Sequence, residues 1–531
     1  MKCAKGLVGL VSLLAVAGCS RGEGTAPGFD VVEATIGGIQ QAIRDGDTTC
    51  HAVVAAYLAR IKAYDQPLGI NAITVINPRA LAVADAIDGR LKAGGELGPL
   101  YCAPLLIKDN YDTHDLVTSG GSIALKDSLP PDDAFMVRRL RQADAIVIAK
   151  TNMAEWAFSP RETVSSSFGR TVNAYDPGRT PAGSSGGTDS GVAASFAVAG
   201  MGSDTGNSIR GPSSHLALFG IRSTIGLTSR DGIIPLAFDR DIAGPMSRTV
   251  EDGARIFNVV AGFDTADPLT RLGKGRREAD YTKFLDPGGL KGARIGVLRA
   301  LVDTDDADPE ITAIFEQAVA DLKAAGAVIV DPFTIAGLDS LMKDDNFCAR
   351  FRYDMYLYLK SRGGVPFLDV ATLLKTGQYT QTPASSSARV KGGLEFFAGF
   401  PLDVAPDQWD PPCPTFPDHP GRRAFLDAVV AAMDTARLDA IVYPGWTNPP
   451  APIDTANEDY KGDNSQLIAP ATGLPAVTVP MGFWRDRLPA GLQILARPYA
   501  EGVLFRLAYA YEQATRHRRP PPGFGALKSG R

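Results

Sequence analysis

The chain has 531 residues, 45% of them hydrophobic and 21% charged, which is the balance of an ordinary globular protein and excludes a disordered or low-complexity one. A formal charge of -5 argues against nucleic acid as a partner, since phosphate binding needs a concentrated basic surface. Length permits several domains, but composition shows no break into unrelated parts.

The first 19 residues stand apart. Lys2 and Lys5 make a positive start, Leu7 to Ala17 is apolar, and Val16-Ala-Gly-Cys19 closes the run with small residues. Such a run is too short to span a bilayer as a permanent helix and fits an export signal. Its ending resembles a bacterial lipoprotein signal, in which Cys19 carries the lipid; the alternative is an ordinary signal peptide with a chance cysteine. The expectation is a signal at 1–19, a tether at 20–30 and a body facing the periplasm of a bacterial envelope, held on the membrane through Cys19.

The body reads as one domain over 31–517, with a tail at 518–531. Residues 35–64 predict two helices, the second capped by Thr49. Ile73–Ile76, Leu105–Ile107 and Asp144–Ala149 are β-type runs, with a helical stretch from Ala134 to Gln142 before the third. This alternation predicts an α/β fold with buried, largely parallel strands. A helix is expected over Ser190–Val198. Ala293–Leu298 reads as a strand, and Asp308-Pro309 opens a helix with a cap and a proline at its first position. Residues 332–420 have weak periodicity and predict an irregular or helical insertion that shapes the substrate region together with Trp446 and Asn448. Strands resume at Leu438–Tyr443 and Ala476–Val479, and a helix covers Val503–Gln513.

Beyond Cys3 and Cys19 there are four cysteines. In an oxidising compartment the pairs Cys50–Cys102 and Cys348–Cys413 are expected because each shares a region of the chain; four free thiols are the alternative. Neither a Cys-x-x-Cys nor a His-Glu-x-x-His motif occurs, so no metal site and no cofactor is predicted.

Two serines sit in glycine-rich frames 24 positions apart: Ser184 in Pro181-Ala-Gly-Ser-Ser-Gly-Gly187 and Ser208 in Asp204-Thr-Gly-Asn-Ser-Ile-Arg210. Glycines crowd a hydroxyl where the backbone turns sharply and a substrate comes close. Leu105-Leu-Ile-Lys108 ends an apolar run in lysine, and burial drives a lysine toward the neutral amine, a competent base.

Lys108, Ser184 and Ser208, in this order and these frames, resemble the amidase signature family. The likeness extends through Ala149-Lys-Thr-Asn-Met-Ala-Glu-Trp156, Gly226–Pro235, Asp241-Ile-Ala-Gly-Pro-Met246, Gly473-Leu-Pro-Ala476 and Leu488–Gln493, over roughly residues 35–515. It implies a single α/β domain with a mixed central sheet sandwiched between helices. It also implies a Ser–Ser–Lys triad: Ser208 the nucleophile, Ser184, on a peptide that is cis in this family, the relay, and Lys108 the base. Backbone N–H groups of Thr205, Gly206, Asn207 and Ser208 are the expected oxyanion hole. Ser185 and Arg210 are candidate substrate contacts, although an internal partner for Arg210 fits equally. Asp204 is expected to brace its loop and His215 to pack structurally. The substrate is a small-molecule or peptide amide.

Three residues depart from the family pattern. Ala182 stands where Gly is usual, Asp189 where a small residue is common, and Asn207 in place of a second Gly before the nucleophile. Asparagine tolerates left-handed backbone, so the loop is expected to survive; its side chain can also narrow the acyl site or donate a contact. Two other readings compete. Gly183-Ser-Ser-Gly-Gly187 satisfies the nucleophile elbow of α/β-hydrolases with Ser185 attacking, which requires a strand ending at 184 and a later Asp and His. A lipid-anchored binding protein without activity predicts loss of a triad residue, and all three are present. The tRNA-dependent amidotransferase subunit shares the family's core, but export removes its cytoplasmic substrate.

Overall fold

The computed structural model describes residues 29–343 and 347–527. Cys19, the signal at 1–19 and nearly all of the tether lie outside the described residues.

The strands are β1 Ile73–Ile76, β2 Pro104–Lys108, β3 Ile146–Thr151, β4 Thr163–Ser165, β5 Gly169–Thr171, β6 Ala199–Asp204 and β7 Phe219–Arg222. They continue with β8 Ile242–Ser247, β9 Arg294–Leu298, β10 Val328–Phe333, β11 Ala440–Pro444, β12 Ala476–Trp484 and β13 Leu488–Leu495. All but the β4–β5 hairpin join one eleven-stranded sheet in the order β1-β3-β2-β6-β8-β7-β12-β13-β11-β9-β10. The expected parallel character holds only in β3–β2–β6 and β11–β9–β10. The centre, from β6 through β13 to β11, is antiparallel, as is the β1 edge. The sheet is mixed: β12 and β13 form a tight hairpin, and the six-residue helix Arg210–His215 lies between β6 and β7.

Local chemistry accounts for the helices. Thr49 accepts from Ala52 N and starts Cys50–Tyr64; Asp308 accepts from Glu310 N and Ile311 N and starts Pro309–Ala324. That second helix buries Ile311, Phe315, Ala318 and Leu322 at helical spacing. The helix expected over Ser190–Val198 is instead Gly186–Ala193, and Ala199–Asp204 is a central strand. Glycines concealed the helix start, and the strand Ala-Gly-Met-Gly-Ser-Asp lacks the β-branched residues that mark strands.

Segment 332–420 mixes helices with irregular chain, and its helices Phe351–Arg362 and Ala384–Ala398 pack on the motif segment. The Phe158 ring meets Phe351 at 4.8 Å and Phe397 at 5.5 Å between centroids. Glu155 accepts from Thr380 N at 2.8 Å, and Glu162 accepts from Ser386 Oγ at 2.6 Å. The disulfides Cys50–Cys102 and Cys348–Cys413 are formed, as expected. Among the described residues no helix is long and apolar enough to cross a membrane.

Two glycines of the first serine loop are required by close approach. A Cβ at Gly187 would stand 2.2 Å from Asn152 O, and one at Gly183 would stand 2.4 Å from Ser159 O. Ala182 adopts φ 65°, so this departure from glycine places a Cβ in left-handed backbone at a cost of about 1 kcal/mol. Gly187→Ala is therefore expected to lower the melting temperature, because the Asn152 backbone must yield. An unchanged thermal transition would contradict that packing. Peptide mapping without reduction is expected to recover both cystine pairs.

Candidate active site

Lys108 is the last residue of β2, a strand buried along its whole length between β3 and β6. Its side chain has no exposure. Nζ donates to Ser184 Oγ at 2.8 Å and to Ser203 Oγ at 2.9 Å. Burial pulls the amine down to about 7, against the opposing fields of Asp204, Asp241 and Asp189. Near neutrality the amine therefore holds a lone pair able to receive a proton from Ser184.

Ser184 follows a cis Gly183–Ser184 peptide, just before the helix Gly186–Ala193. Ser208 lies in the turn between β6 and the helix Arg210–His215. The four N–H groups of Thr205, Gly206, Asn207 and Ser208 donate to no acceptor among the described residues. Four consecutive unpaired donors in a buried loop can receive a developing negative charge.

Side chains hold this loop from behind. The Asp204 carboxylate accepts from Arg210 Nε at 3.1 Å, Arg222 Nη1 at 3.0 Å and Ile209 N at 3.3 Å. Burial alone would raise the carboxyl, but Arg210 and Arg222 outweigh it and hold it below its usual range. Thr205 Oγ1 donates to Asp241 Oδ1 at 2.5 Å, and Asp241 Oδ2 accepts from Leu236 N and Ala237 N. Asp204 thus braces the loop, as anticipated.

Several of the singled-out residues have partners inside the protein. Arg210 has the internal partners that were the equal alternative: it is completely buried and donates to Asp204, to Gln493 Oε1 at 2.8 Å and to Gly206 O at 2.6 Å. Ser185 is likewise buried, and its hydroxyl donates to Ser203 O at 3.2 Å. Asn207 is not left-handed, so backbone tolerance is not what it contributes. His215 stacks on Trp446 at 4.5 Å, and burial lowers its imidazole to about 3. Asn448 donates to Asp306 O at 3.0 Å.

The elbow reading lacks its parts. Between β5 and the helix Gly186–Ala193 there is no strand, His419 caps the helix Pro420–Thr435, and His517 lies 3.3 Å from Asp321. A cavity of about 730 Å³ opens beside Arg230, Phe238, Leu269, Arg350 and Tyr353, with no triad residue in its lining. Side-chain geometry, not cavity size, locates the chemistry.

The sequence pattern missed Ser203. Its hydroxyl accepts from both Lys108 Nζ and Asn110 Nδ2, the latter at 2.9 Å, and so orients the amine toward Ser184. Only the β2–β6 pairing, which sets Ile107 opposite Met201, brings it there. Lys150 is equally buried but serves structure, donating to Tyr111 O and Thr118 Oγ1 at 2.7 Å each.

A buried lysine bonded to a serine on a cis peptide, with a second serine in a loop of free N–H groups, defines a serine hydrolase of the Ser–Ser–Lys type. The family model described as Amidase matches residues 52–384. The A subunit of the glutamyl-tRNA(Gln) amidotransferase of Thermosynechococcus vestitus is 32% identical over 490 residues, covering 88% of this chain and 95% of that protein. The native peptide amidase of Stenotrophomonas maltophilia is 34% identical, with TM-score 0.80, over 92% of this chain and 98% of its own. A peptide amidase in complex with the competitive inhibitor chymostatin has TM-score 0.82 at 34% identity, over 92% and 99% of the two chains. The chain belongs to the amidase signature family and is an amide-hydrolysing enzyme of that mechanism.

Because the base is the neutral amine, kcat is expected to rise with pH through about 7 and level off above it. At one unit below that value about a tenth of the base is competent, so the rate at pH 6 should be roughly a tenth of the plateau. A flat profile from about pH 6 to 9 in the acylation step would remove Lys108 from this role. Ser203→Ala is expected to shift the profile while leaving the nucleophile able to react with a phosphonate.

Proposed function

We propose that the enzyme hydrolyses linear carboxylic amides other than backbone peptide bonds, with the C-terminal amide of a peptide as the first class. The observation that carries this reading is the 2.8 Å contact of Lys108 Nζ with Ser184 Oγ, set beside the free donors of residues 205–208. Similarity to peptide amidases over nearly the whole chain supports the substrate class. The likeness to amidotransferase subunits makes the side-chain amide of glutamine the second reading.

The steps are those of the family's Ser–Ser–Lys mechanism, and the Lys108–Ser184 contact supports their last link. Ser208 Oγ attacks the carbonyl carbon, its proton passes to Ser184 and the Ser184 proton to Lys108. The tetrahedral oxygen is received by the N–H groups of 205–208, each contributing on the order of 3 kcal/mol when aimed at it. The ammonium then returns a proton through Ser184 to the departing amine, leaving an ester on Ser208. Water, deprotonated along the same relay, releases the acid and restores the serine. The balance requires neither metal nor redox partner.

The proposal extends to location. The basic start, the apolar run and Cys19 support a lipid-held enzyme facing the periplasm, and two cystines fit an oxidising compartment. Cys19→Ser is expected to move the protein from the membrane fraction to the soluble one. Continued membrane retention would sink the lipid attachment.

Labelling with a serine-reactive phosphonate is expected to modify Ser208 alone, and Ser208→Ala should abolish turnover. Lys108→Ala is expected to lower kcat about a thousandfold, and Ser185→Ala far less. In an amide panel, ammonia release from peptide C-terminal amides should exceed that from free glutamine. The reverse order would favour the glutamine reading.

A further inference from the structure

The nucleophile loop is braced by Asp204 and Asp241, and it also meets a segment from the far end of the chain. Asn207 Nδ2 donates to Asp463 Oδ2 at 2.9 Å, across 256 positions of sequence. The same oxygen accepts from Tyr460 OH at 2.6 Å and Gln466 Nε2 at 3.0 Å. Gln466 Oε1 lies 2.9 Å from where a Cβ on Gly206 would stand, so the segment packs on two consecutive loop residues.

The segment is itself rigidly mounted. Thr447 N donates to Gly462 O at 2.9 Å, and Asn464 Nδ2 donates to Leu301 O and to Pro444 O at the end of β11. Trp446 meets the Tyr460 ring edge-on at 5.4 Å, and the Arg161 guanidinium lies 4.4 Å from that ring's centre. Asn207 is buried, and its φ demands no special residue. A buried amide donor that has surrendered water needs partners: Asp463 supplies the shorter bond, and Pro160 O accepts from the same Nδ2 at 3.4 Å. Gly211 leaves the space: a Cβ there would stand 2.6 Å from Asn207 Nδ2.

We propose that Asn207 and Asp463 form a latch that positions the nucleophile loop, aiming its N–H groups at the tetrahedral oxygen. Both are positioning residues, since their side chains act through the loop and not on the reacting atoms. The inference rests on the Ser208 acyl-enzyme reading. Oxyanion donors act only when correctly placed, so loosening the loop lowers the chemical rate without weakening substrate binding. Two residues that act through one bond share a single loss.

The test is a double-mutant cycle of Asn207→Ala and Asp463→Ala, with kcat and KM measured on a C-terminal peptide amide and the rate of phosphonate labelling at Ser208 as a second readout. Each single variant is expected to lower kcat and labelling together by about tenfold, with KM within about twofold, and the double variant to be no slower than the slower single. Asp463→Asn, whose amide oxygen still accepts, should retain most of the rate. Losses that multiply in the double variant, or single variants with unchanged kcat and labelling, overturn the latch. A loss confined to KM also overturns it, because the unpartnered Oδ1 of Asp463 would then be a substrate contact. If the alanine variants do not fold, the exchanged pair decides: Asn207→Asp should be impaired, and adding Asp463→Asn should recover at least about fivefold by restoring a donor opposite an acceptor. No recovery overturns the latch. Failure of the wild-type Ser208 to label would instead strike at the hydrolase reading itself.

Discussion

A lysine amine kept out of water is the constraint on which the rest of the site depends. In solvent the Lys108 ammonium would be a poor base, and Ser184 would have nowhere to send a proton. Placing the residue at the end of a strand buried on both faces removes the hydration that favours the charge. Three buried carboxyls nearby, Asp204, Asp241 and Asp189, pull the other way. Their effect is limited because Asp204 is paired with Arg210 and Arg222, while burial raises Asp189 and Asp241 toward the neutral acid. The amine is left close to the midpoint of its titration at neutral pH.

The same exclusion of water explains why so many polar groups around the nucleophile are paired with one another. Asp204, Arg210, Arg222 and Gln493 form a connected set in which each replaces water for its neighbour. Thr205 leans on Asp241, Gly206 receives Arg210, and Asn207 reaches Asp463. Each of these three residues of the oxyanion loop is therefore held through a side chain or a carbonyl, leaving its N–H free. Gln493 comes from β13 and Asp463 from the segment after β11, so distant parts of the mixed sheet converge on one turn.

Much of the fold was legible because local signals agree with it. Thr49 and Asp308-Pro309 start helices where capping chemistry places them, and the runs at 73–76, 105–107 and 144–149 fall on the strands β1, β2 and β3. The helix after Ser185 and the strand Ala199–Asp204 escape a sequence reading because glycine and alanine carry little periodic signal. Burial there is decided by neighbours, and β6 is central although its own composition does not mark it as a strand. The serine loops stood out because glycine is needed where Asn152 and Ser159 carbonyls press on the backbone.

What the chain determined by itself is the set of reacting groups: a lysine ending an apolar strand and two serines in glycine frames, with spacing that identifies the family. What only the tertiary structure decided is how those groups are tuned. Ser203 joins the lysine through strand pairing, Arg210 turns inward to Asp204, and Asn207 finds Asp463 across 256 positions. The physical reason is that identity and spacing are local properties, whereas desolvation and the partner of a buried polar group belong to whatever the fold brings alongside.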